Sequence, residues 1–229
     1  MSWNALITGY VDNEYPEEVL KCFEQMQLEG VSPNAITIVC TLRACGSMGA
    51  IEKGGEIHAH IERKGFLVGD VLLGNSLVDT YAKCGLLEVA QQVFNKLSTR
   101  DVIAWNSLIT GYAQLGESDN VFYAFDKMLG EGTKPDFVTF LMVLNACTRL
   151  GLCDTSQTYF ESMSKDFGII PCLEHHSGIV DILCRTGRLD KALKMIQRMP
   201  PEFPNLVLWR TLLSACRNMG NVNIGKGVF

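Results

Sequence analysis

Apolar residues recur at helical spacing along most of the chain. In residues 17–26 they fall three and four positions apart, which is the spacing of one face of an amphipathic helix. The same spacing recurs in three further segments, residues 89–97, 121–128 and 192–199. Helix-ending residues follow, as at Gly30 with Pro33 and at Gly132 with Pro135. The pattern predicts an all-α chain, because no strand-like alternation persists long enough to compete.

A second set of segments, placed before these helices, repeats in sequence. Residues 3–10 are WNALITGY and residues 105–112 are WNSLITGY. Diverged copies begin at residues 74, 176 and 209, and a second type of opening occurs at 36–45 and 138–147. The repeating unit is helix, turn, helix, turn, with a period of about 31 to 36 residues. One hairpin cannot bury both helix faces, so we expect neighbouring units to stack into a solenoid with a concave surface lined by first helices.

Composition restricts the possible functions. The net charge of −5 argues against nonspecific nucleic-acid binding, so an RNA function would need a local basic stripe. None of the nine cysteines forms a C-x-x-C pair, and most have apolar neighbours, which predicts small buried side chains rather than metal ligands. No apolar run has the length of about 18–20 residues that a membrane span needs. Because the chain begins inside a predicted helix, we expect it to be a fragment of a longer protein.

The openings and closings together resemble the plant pentatricopeptide repeat (PPR) family. The segments WNALITGY and GNSLVDTYAKCG and the closings GVSPN and GTKPD carry the resemblance, whereas the tetratricopeptide pattern fits poorly. The order of units is similar to the PLS/E subclass, the organelle RNA-editing type. The units are a P motif at 1–34, an L motif at 35–70, an S motif at 71–101, a P motif at 102–136, an L motif at 137–172, an S motif at 173–205 and a partial E1 motif at 206–229.

This resemblance implies a right-handed superhelical solenoid that binds single-stranded RNA. It further implies the site-recognition role in C-to-U editing in the mitochondrion or chloroplast, with no cofactor, membrane or small-molecule substrate. Editing needs a zinc deaminase, whose signature combines H-x-E with P-C-x-x-C, and no C-x-x-C occurs in the sequence. We therefore expect no enzymatic activity here, with a deaminase-bearing protein and other editing factors acting in trans. The transit peptide that organelle import requires is absent from this fragment.

In the resembled family, the fifth and last residues of a motif together select one base. Short polar side chains suit that task because they can hydrogen-bond the Watson–Crick edge of an unpaired base. The corresponding pairs are Asn4 with Asn34, Asn75 with Asp101, Asn106 with Asp136, and Ser177 with Asn205. By resemblance these select a pyrimidine, uridine, uridine and adenine, in that order. The L motifs place apolar Val39 and Leu141 at the fifth position, so we expect the address 5′-Y-n-U-U-n-A-3′.

Two other sets of equivalent positions are expected to contact RNA. The second residues, expected to flank the bases, are Met1, Ile36, Leu72, Ile103 and Val138. The phosphate-contact candidates at position thirteen are Lys83, Arg149 and Arg185. Three alternatives stay open. The asparagines could serve as helix caps, the cations could be ordinary solvated charges, and the concave surface could bind a protein rather than RNA.

Overall fold

The computed structural model describes residues 2–65, 70–199 and 206–221, and these residues form helices joined by short turns. The helices are α1 (Trp3–Asp12), α2 (Pro16–Leu28), α3 (Ala35–Met48), α4 (Ile51–Arg63), α5 (Val71–Lys83), α6 (Leu87–Lys96), α7 (Val102–Leu115), α8 (Ser118–Gly130), α9 (Phe137–Leu150), α10 (Cys153–Lys165), α11 (Leu173–Arg185), α12 (Leu189–Gln197) and α13 (Leu206–Asn218). No strand occurs within the described ranges. The chain divides into two compact units, residues 1–115 and 116–229.

The first unit contains three helical hairpins followed by α7. The odd-numbered helices stack in order, α1 on α3, α3 on α5 and α5 on α7. Each even-numbered helix packs against the helix before it and the helix after it. The core of the unit lies between these layers and contains the fully buried side chains of Ile7, Leu42, Leu77 and Ile109. Burial on both sides of the odd-numbered helices explains why their sequences are apolar on more than one face.

The second unit repeats this arrangement. It starts with α8, continues through the hairpins α9–α10 and α11–α12, and reaches α13. Here α9 packs on α11, and α11 packs on α13. Phe140, Leu144, Val180 and Leu212 are fully buried in its core. The predicted helix–turn–helix repeat is therefore present in both units.

Glycine permits an unusually close helix contact in the first unit. A Cβ atom on Gly111 of α7 would lie 2.7 Å from Leu87 Cδ2 and 2.9 Å from Ala82 Cβ. Ala82 belongs to α5, so the hydrogen of Gly111 is what lets α5 and α7 approach so closely. Gly9 occupies the equivalent place in the WNALITGY segment of α1, and a Cβ there would meet no atom within 4 Å. One sequence position thus has two different packing environments.

The cysteines are unpaired and mostly buried. Six of the nine cysteines are buried, and all nine are free thiols. Burial raises the pKa of Cys45, Cys147 and Cys184 to about 11. Across the described residues, no group of three or more His, Cys, Asp or Glu side chains could hold a metal ion. None of the described helices combines the length and apolar character that a membrane crossing needs.

Candidate nucleic-acid interface

The predicted closing residues stand at the starts of the odd-numbered helices, where their side chains accept backbone hydrogen bonds. Asn34 Oδ1 accepts from the Thr37 N–H at 3.0 Å, and Asp136 Oδ1 accepts from the Thr139 N–H at 3.0 Å. Asp101 Oδ1 likewise accepts from Ala104 N–H at 2.9 Å. These bonds satisfy amide groups that the first turn of a helix leaves without a partner. These closing residues therefore cap helices, whereas the capping alternative concerned Asn4, Asn75 and Asn106, which lie inside α1, α5 and α7.

Asp101 has a second partner, the predicted base-reading residue Asn75. Asn75 lies on α5, and its side-chain Nδ2 donates to Asp101 Oδ1 at 2.9 Å and to Asp101 Oδ2 at 3.0 Å. Asn75 is only 4% exposed. The predicted pair is thus in direct contact in this unit, and one carboxylate both caps α7 and holds an amide of α5.

The carboxylate fixes which end of the Asn75 amide faces it. If the amide were flipped, its carbonyl oxygen would lie about 3 Å from two carboxylate oxygens, with no hydrogen between them. The carbonyl oxygen Oδ1 therefore points away from Asp101, and it is buried without a hydrogen-bond partner. A buried acceptor left unsatisfied costs about 1–3 kcal/mol. The amide therefore keeps one unused acceptor, which a donor can reach only if neighbouring side chains move.

The other predicted base-reading residues are placed less decisively. Asn4 and Asn106 are half-buried on α1 and α7. The Ser177 hydroxyl donates to the Leu173 carbonyl of its own helix at 2.8 Å, which leaves its oxygen lone pairs available. Asn205 lies outside the described residues. The pairings Asn4 with Asn34, Asn106 with Asp136, and Ser177 with Asn205 stay predictions.

Large aliphatic side chains are exposed at the second position of several first helices. Ile36 is 52% exposed, Leu72 54% and Ile103 56%. Val138 is partly buried, and Met1 lies outside the described residues. Val207, at the same position of α13, is 64% exposed and was missed by the sequence reasoning, although its position in the repeat was a sufficient signal. Repeated exposure of aliphatic groups at one position provides apolar surface for contact with a ligand.

Two of the three phosphate-contact candidates already have acidic partners on their own helices. Lys83 Nζ lies 2.6 Å from Asp79 Oδ2, and Arg185 Nε lies 2.8 Å from Asp181 Oδ2. Exposed pairs of this kind contribute only about 0–1 kcal/mol, so a phosphate could replace the carboxylate at small cost. Arg149 is exposed. The solvated-charge reading and the phosphate reading therefore both remain compatible with the geometry.

A further cation lies beside Lys83 in the first unit. Arg43 and Lys83 both line a cleft with a volume of about 300 Å³, together with Ser47, Tyr15 and the carboxylate of Glu14. Arg43 was missed because it lies at the ninth rather than the thirteenth position of its helix. The cleft therefore brings cations from α3 and α5 to one surface, beside the carboxylate of Glu14.

A buried histidine, His175, connects α11 to the start of α9 in the second unit. His175 Nδ1 accepts from the Cys172 backbone N–H at 3.2 Å, and Cys172 Sγ lies 2.8 Å from the same nitrogen. On its other side, His175 Nε2 is 2.8 Å from the Phe137 carbonyl oxygen. Accepting at Nδ1 and donating at Nε2 requires the neutral ring with its proton on Nε2. Burial lowers the pKa of His175, which agrees with a neutral ring.

Comparison with family sequence patterns gives a consistent match. A PPR repeat family model matches residues 1–47 and 100–149. A PPR repeat model matches residues 75–102, 138–166 and 175–200. Together these matches cover most of the chain.

Curated relatives from Arabidopsis thaliana match over nearly all of this chain. The pentatricopeptide repeat-containing protein CRR2, chloroplastic, is 42% identical over 230 residues, covering 99% of this chain and 34% of its own length. A pentatricopeptide repeat-containing protein named as mitochondrial is 40% identical over 224 residues, covering 98% of this chain and 35% of its own. The chain therefore spans about a third of the length of the curated relatives it matches.

Solved structures confirm the predicted all-α helical-repeat solenoid fold. The crystal structure of the pentatricopeptide repeat protein PPR10 from maize matches 99% of this chain and 32% of its own, with a TM-score of 0.82 and 16% identity. The same protein in complex with an 18-nt psaJ RNA element matches 99% and 33%, with a TM-score of 0.76 and 17% identity. At these identities the likeness establishes the fold alone.

Proposed function

The chain belongs to the pentatricopeptide repeat family, and from that premise we propose that it binds single-stranded RNA by sequence. Each unit addresses about one base, and the fragment is the site-recognition part of an organellar C-to-U editing factor. The P-L-S order of its motifs supports the editing role, and the chloroplastic and mitochondrial names of its relatives support an organellar location. An RNA-bound structure with the same fold supports the choice of ligand. The deaminase is supplied by a partner or by another part of the parent protein.

The observation that carries the proposal is the oriented amide of Asn75. Its buried Oδ1 has no partner, while its Nδ2 is held by Asp101. Uracil carries an N–H donor at N3, the centre of its Watson–Crick edge, whereas cytosine carries a lone pair there. With N3 facing Asn75, uracil donates to Oδ1, and cytosine places its lone pair against an oxygen. This unit therefore selects uridine over cytidine.

The same argument explains why an Asn/Asn pair is less selective. An asparagine at the closing position has both a donor and an acceptor, so it can hold the fifth amide in either orientation. Asn4, which pairs with Asn34 in the proposal, could then meet either pyrimidine.

Because Asn75 Oδ1 is buried, a base reaches it only when neighbouring side chains shift, so binding at this unit includes a local adjustment of α5 and α7.

The test replaces Asp101 by Asn and measures RNA affinity by fluorescence anisotropy. The probes contain 5′-Y-n-U-U-n-A-3′ with uridine or cytidine at the third nucleotide, which faces Asn75. The wild type is expected to prefer uridine by roughly tenfold, and Asp101→Asn by roughly twofold or less, because discrimination by one hydrogen-bonding edge is worth about 1–3 kcal/mol. Asparagine also caps helices well, so α7 keeps its start.

The matched control is Asp70→Asn. Asp70 caps α5 by accepting from Leu72 N–H at 3.0 Å, but the fifth residue of its own unit is the apolar Val39. This variant should leave every base preference unchanged. An unchanged uridine preference in Asp101→Asn would refute the orientation argument. Failure of the wild type to bind either RNA at low salt would instead favour the protein-binding scaffold.

A further inference from the structure

Helix α13 carries a charged residue where the other described first helices carry a neutral one. Arg210 occupies the fifth position of its unit, which Asn75 and Asn106 occupy in α5 and α7. Arg210 is exposed, and no described carboxylate forms an ion pair with it. A guanidinium only donates hydrogen bonds and stays protonated, so this position cannot read a base in the way that an amide does.

The surroundings of Arg210 form a groove between α11 and α13 with a volume of about 450 Å³. Arg185 and Arg210 line it, together with the neutral donors Ser214 and Asn218. Among the described residues that line it, Asp181 is the one carboxylate, and Arg185 Nε already holds it at 2.8 Å. None of the described lining residues is therefore left to offset the positive charge of Arg210.

Charge is also unevenly distributed along the sequence. Residues 173–229 contain eight Lys and Arg against four Asp and Glu, whereas residues 1–172 contain twelve against twenty-one. The acidic balance of the whole chain therefore comes from the part before α11. Attraction of a polyanion is concentrated at the end of the chain that contains the groove.

We infer that the groove between α11 and α13 binds a phosphodiester group of the RNA, directly 3′ of the nucleotide that faces Ser177. This rests on the RNA binding proposed above. Two guanidinium N–H groups of Arg210 donate to two phosphate oxygens, an arrangement that suits the planar fork of arginine. A guanine contact through O6 and N7 is the other chemistry open to arginine. It is disfavoured here because the second residue of α11 is the exposed, charged Glu174, a poor surface on which to stack a base.

The test combines a protein variant with a modified RNA. A methylphosphonate at the linkage 3′ of the adenosine in 5′-Y-n-U-U-n-A-n-n-3′ removes one backbone charge. The wild type is expected to bind this RNA roughly three- to tenfold more weakly than the unmodified RNA. Arg210→Gln should show the same loss with unmodified RNA and no further loss with the methylphosphonate. For Arg210→Gln, the slope of log affinity against log salt concentration should also be smaller in magnitude by about 0.7 than for the wild type.

Arg217→Gln is the matched control. Arg217 lies on the same helix, is exposed and does not line the groove, so its removal changes net charge equally. It should remain sensitive to the methylphosphonate. The inference would be overturned if the affinity losses from Arg210→Gln and from the methylphosphonate were additive. It would also be overturned if the wild type preferred guanosine directly after the adenosine and Arg210→Gln abolished that preference. If the Arg210→Gln and methylphosphonate losses were not additive but Asp101→Asn kept its full uridine preference, only the base-reading proposal would be refuted.

Discussion

The equivalent glycines Gly9 and Gly111 allow one substitution to be tested in two environments. Alanine is favoured over glycine inside a helix by about 1 kcal/mol, and this gain applies at both positions. At Gly9 the new methyl group meets no atom within 4 Å, so Gly9→Ala should be neutral or slightly stabilising. At Gly111 it would lie 2.7 Å from Leu87 Cδ2 and 2.9 Å from Ala82 Cβ.

The leucine methyl can rotate away, but Ala82 Cβ is attached directly to the backbone of α5. A Cβ on Gly111 would also lie 3.4 Å from Ala82 Cα, so α5 and α7 must separate by several tenths of an ångström. Overpacking of this kind costs about 1–3 kcal/mol. Because Ala82 cannot move without its helix, the cost falls in the upper part of that range, about 2–3 kcal/mol, and the helix-propensity gain of about 1 kcal/mol leaves a net loss of about 1–2 kcal/mol. For a chain of this size, that lowers the Tm by roughly 3–6 °C.

Thermal unfolding followed by circular dichroism measures the difference. Gly111→Ala should melt below the wild type, and Gly9→Ala at or slightly above it. Separation of α5 from α7 should also lengthen the Asn75–Asp101 contact, since Asn75 lies on α5 and Asp101 caps α7, and so weaken uridine selection at that unit. A Gly111→Ala protein as stable as the wild type would refute the packing argument.

Two further predictions concern buried polar contacts. His175→Phe keeps a ring in the space but leaves the Phe137 carbonyl without its His175 partner, at a cost of about 1–3 kcal/mol per lost partner. The pKa of His175 is lowered in the folded state, so the unfolded chain binds more protons as pH falls through about 6.5, and wild-type stability declines there. The variant should lose part of that decline between pH 7 and 5, measured by urea unfolding, and an identical pH profile would contradict the bridging role. Thr80→Val removes a buried hydroxyl whose one proton is shared between the Ser76 carbonyl at 2.7 Å and the Leu42 carbonyl at 3.0 Å, and should cost about 1 kcal/mol in the same assay. Thr158→Val, which removes an exposed bond within α10, should have no measurable effect, and equal losses would count against the burial argument.

Helical periodicity and turn residues predicted the hairpins, because each helix must bury one stripe and each turn needs a residue that ends a helix. The exposed aliphatic row was also predictable, since Ile36, Leu72 and Ile103 share one position in the repeat. The pairing of Asn75 with Asp101 came only from family resemblance, and their direct contact was not predicted. Its burial and amide orientation depend on the spacing of α5 and α7, which is a tertiary property absent from any local pattern.

Some features were present in the sequence but went unused. Asp79 precedes Lys83 by four residues, and Asp181 precedes Arg185 by four, a spacing that favours ion pairs along a helix. The phosphate candidates were therefore less free than position thirteen alone suggested. Arg210 was not predicted, because base reading through hydrogen-bond donors and acceptors favours neutral side chains at the fifth position.

Asp101 serves two purposes, since it starts α7 and holds the amide of Asn75. Aspartate and asparagine start helices about equally well. In the proposed mode of base reading, an exchange between them changes the nucleotide preference of a unit without weakening its fold. A lineage would then acquire new target sites by single mutations that selection for stability does not oppose. Other replacements would be opposed, because most side chains cap poorly. In the proposed mode of base reading, the RNA sequences that such a protein can evolve to recognise are therefore restricted by the need to start a helix, and not by RNA chemistry alone.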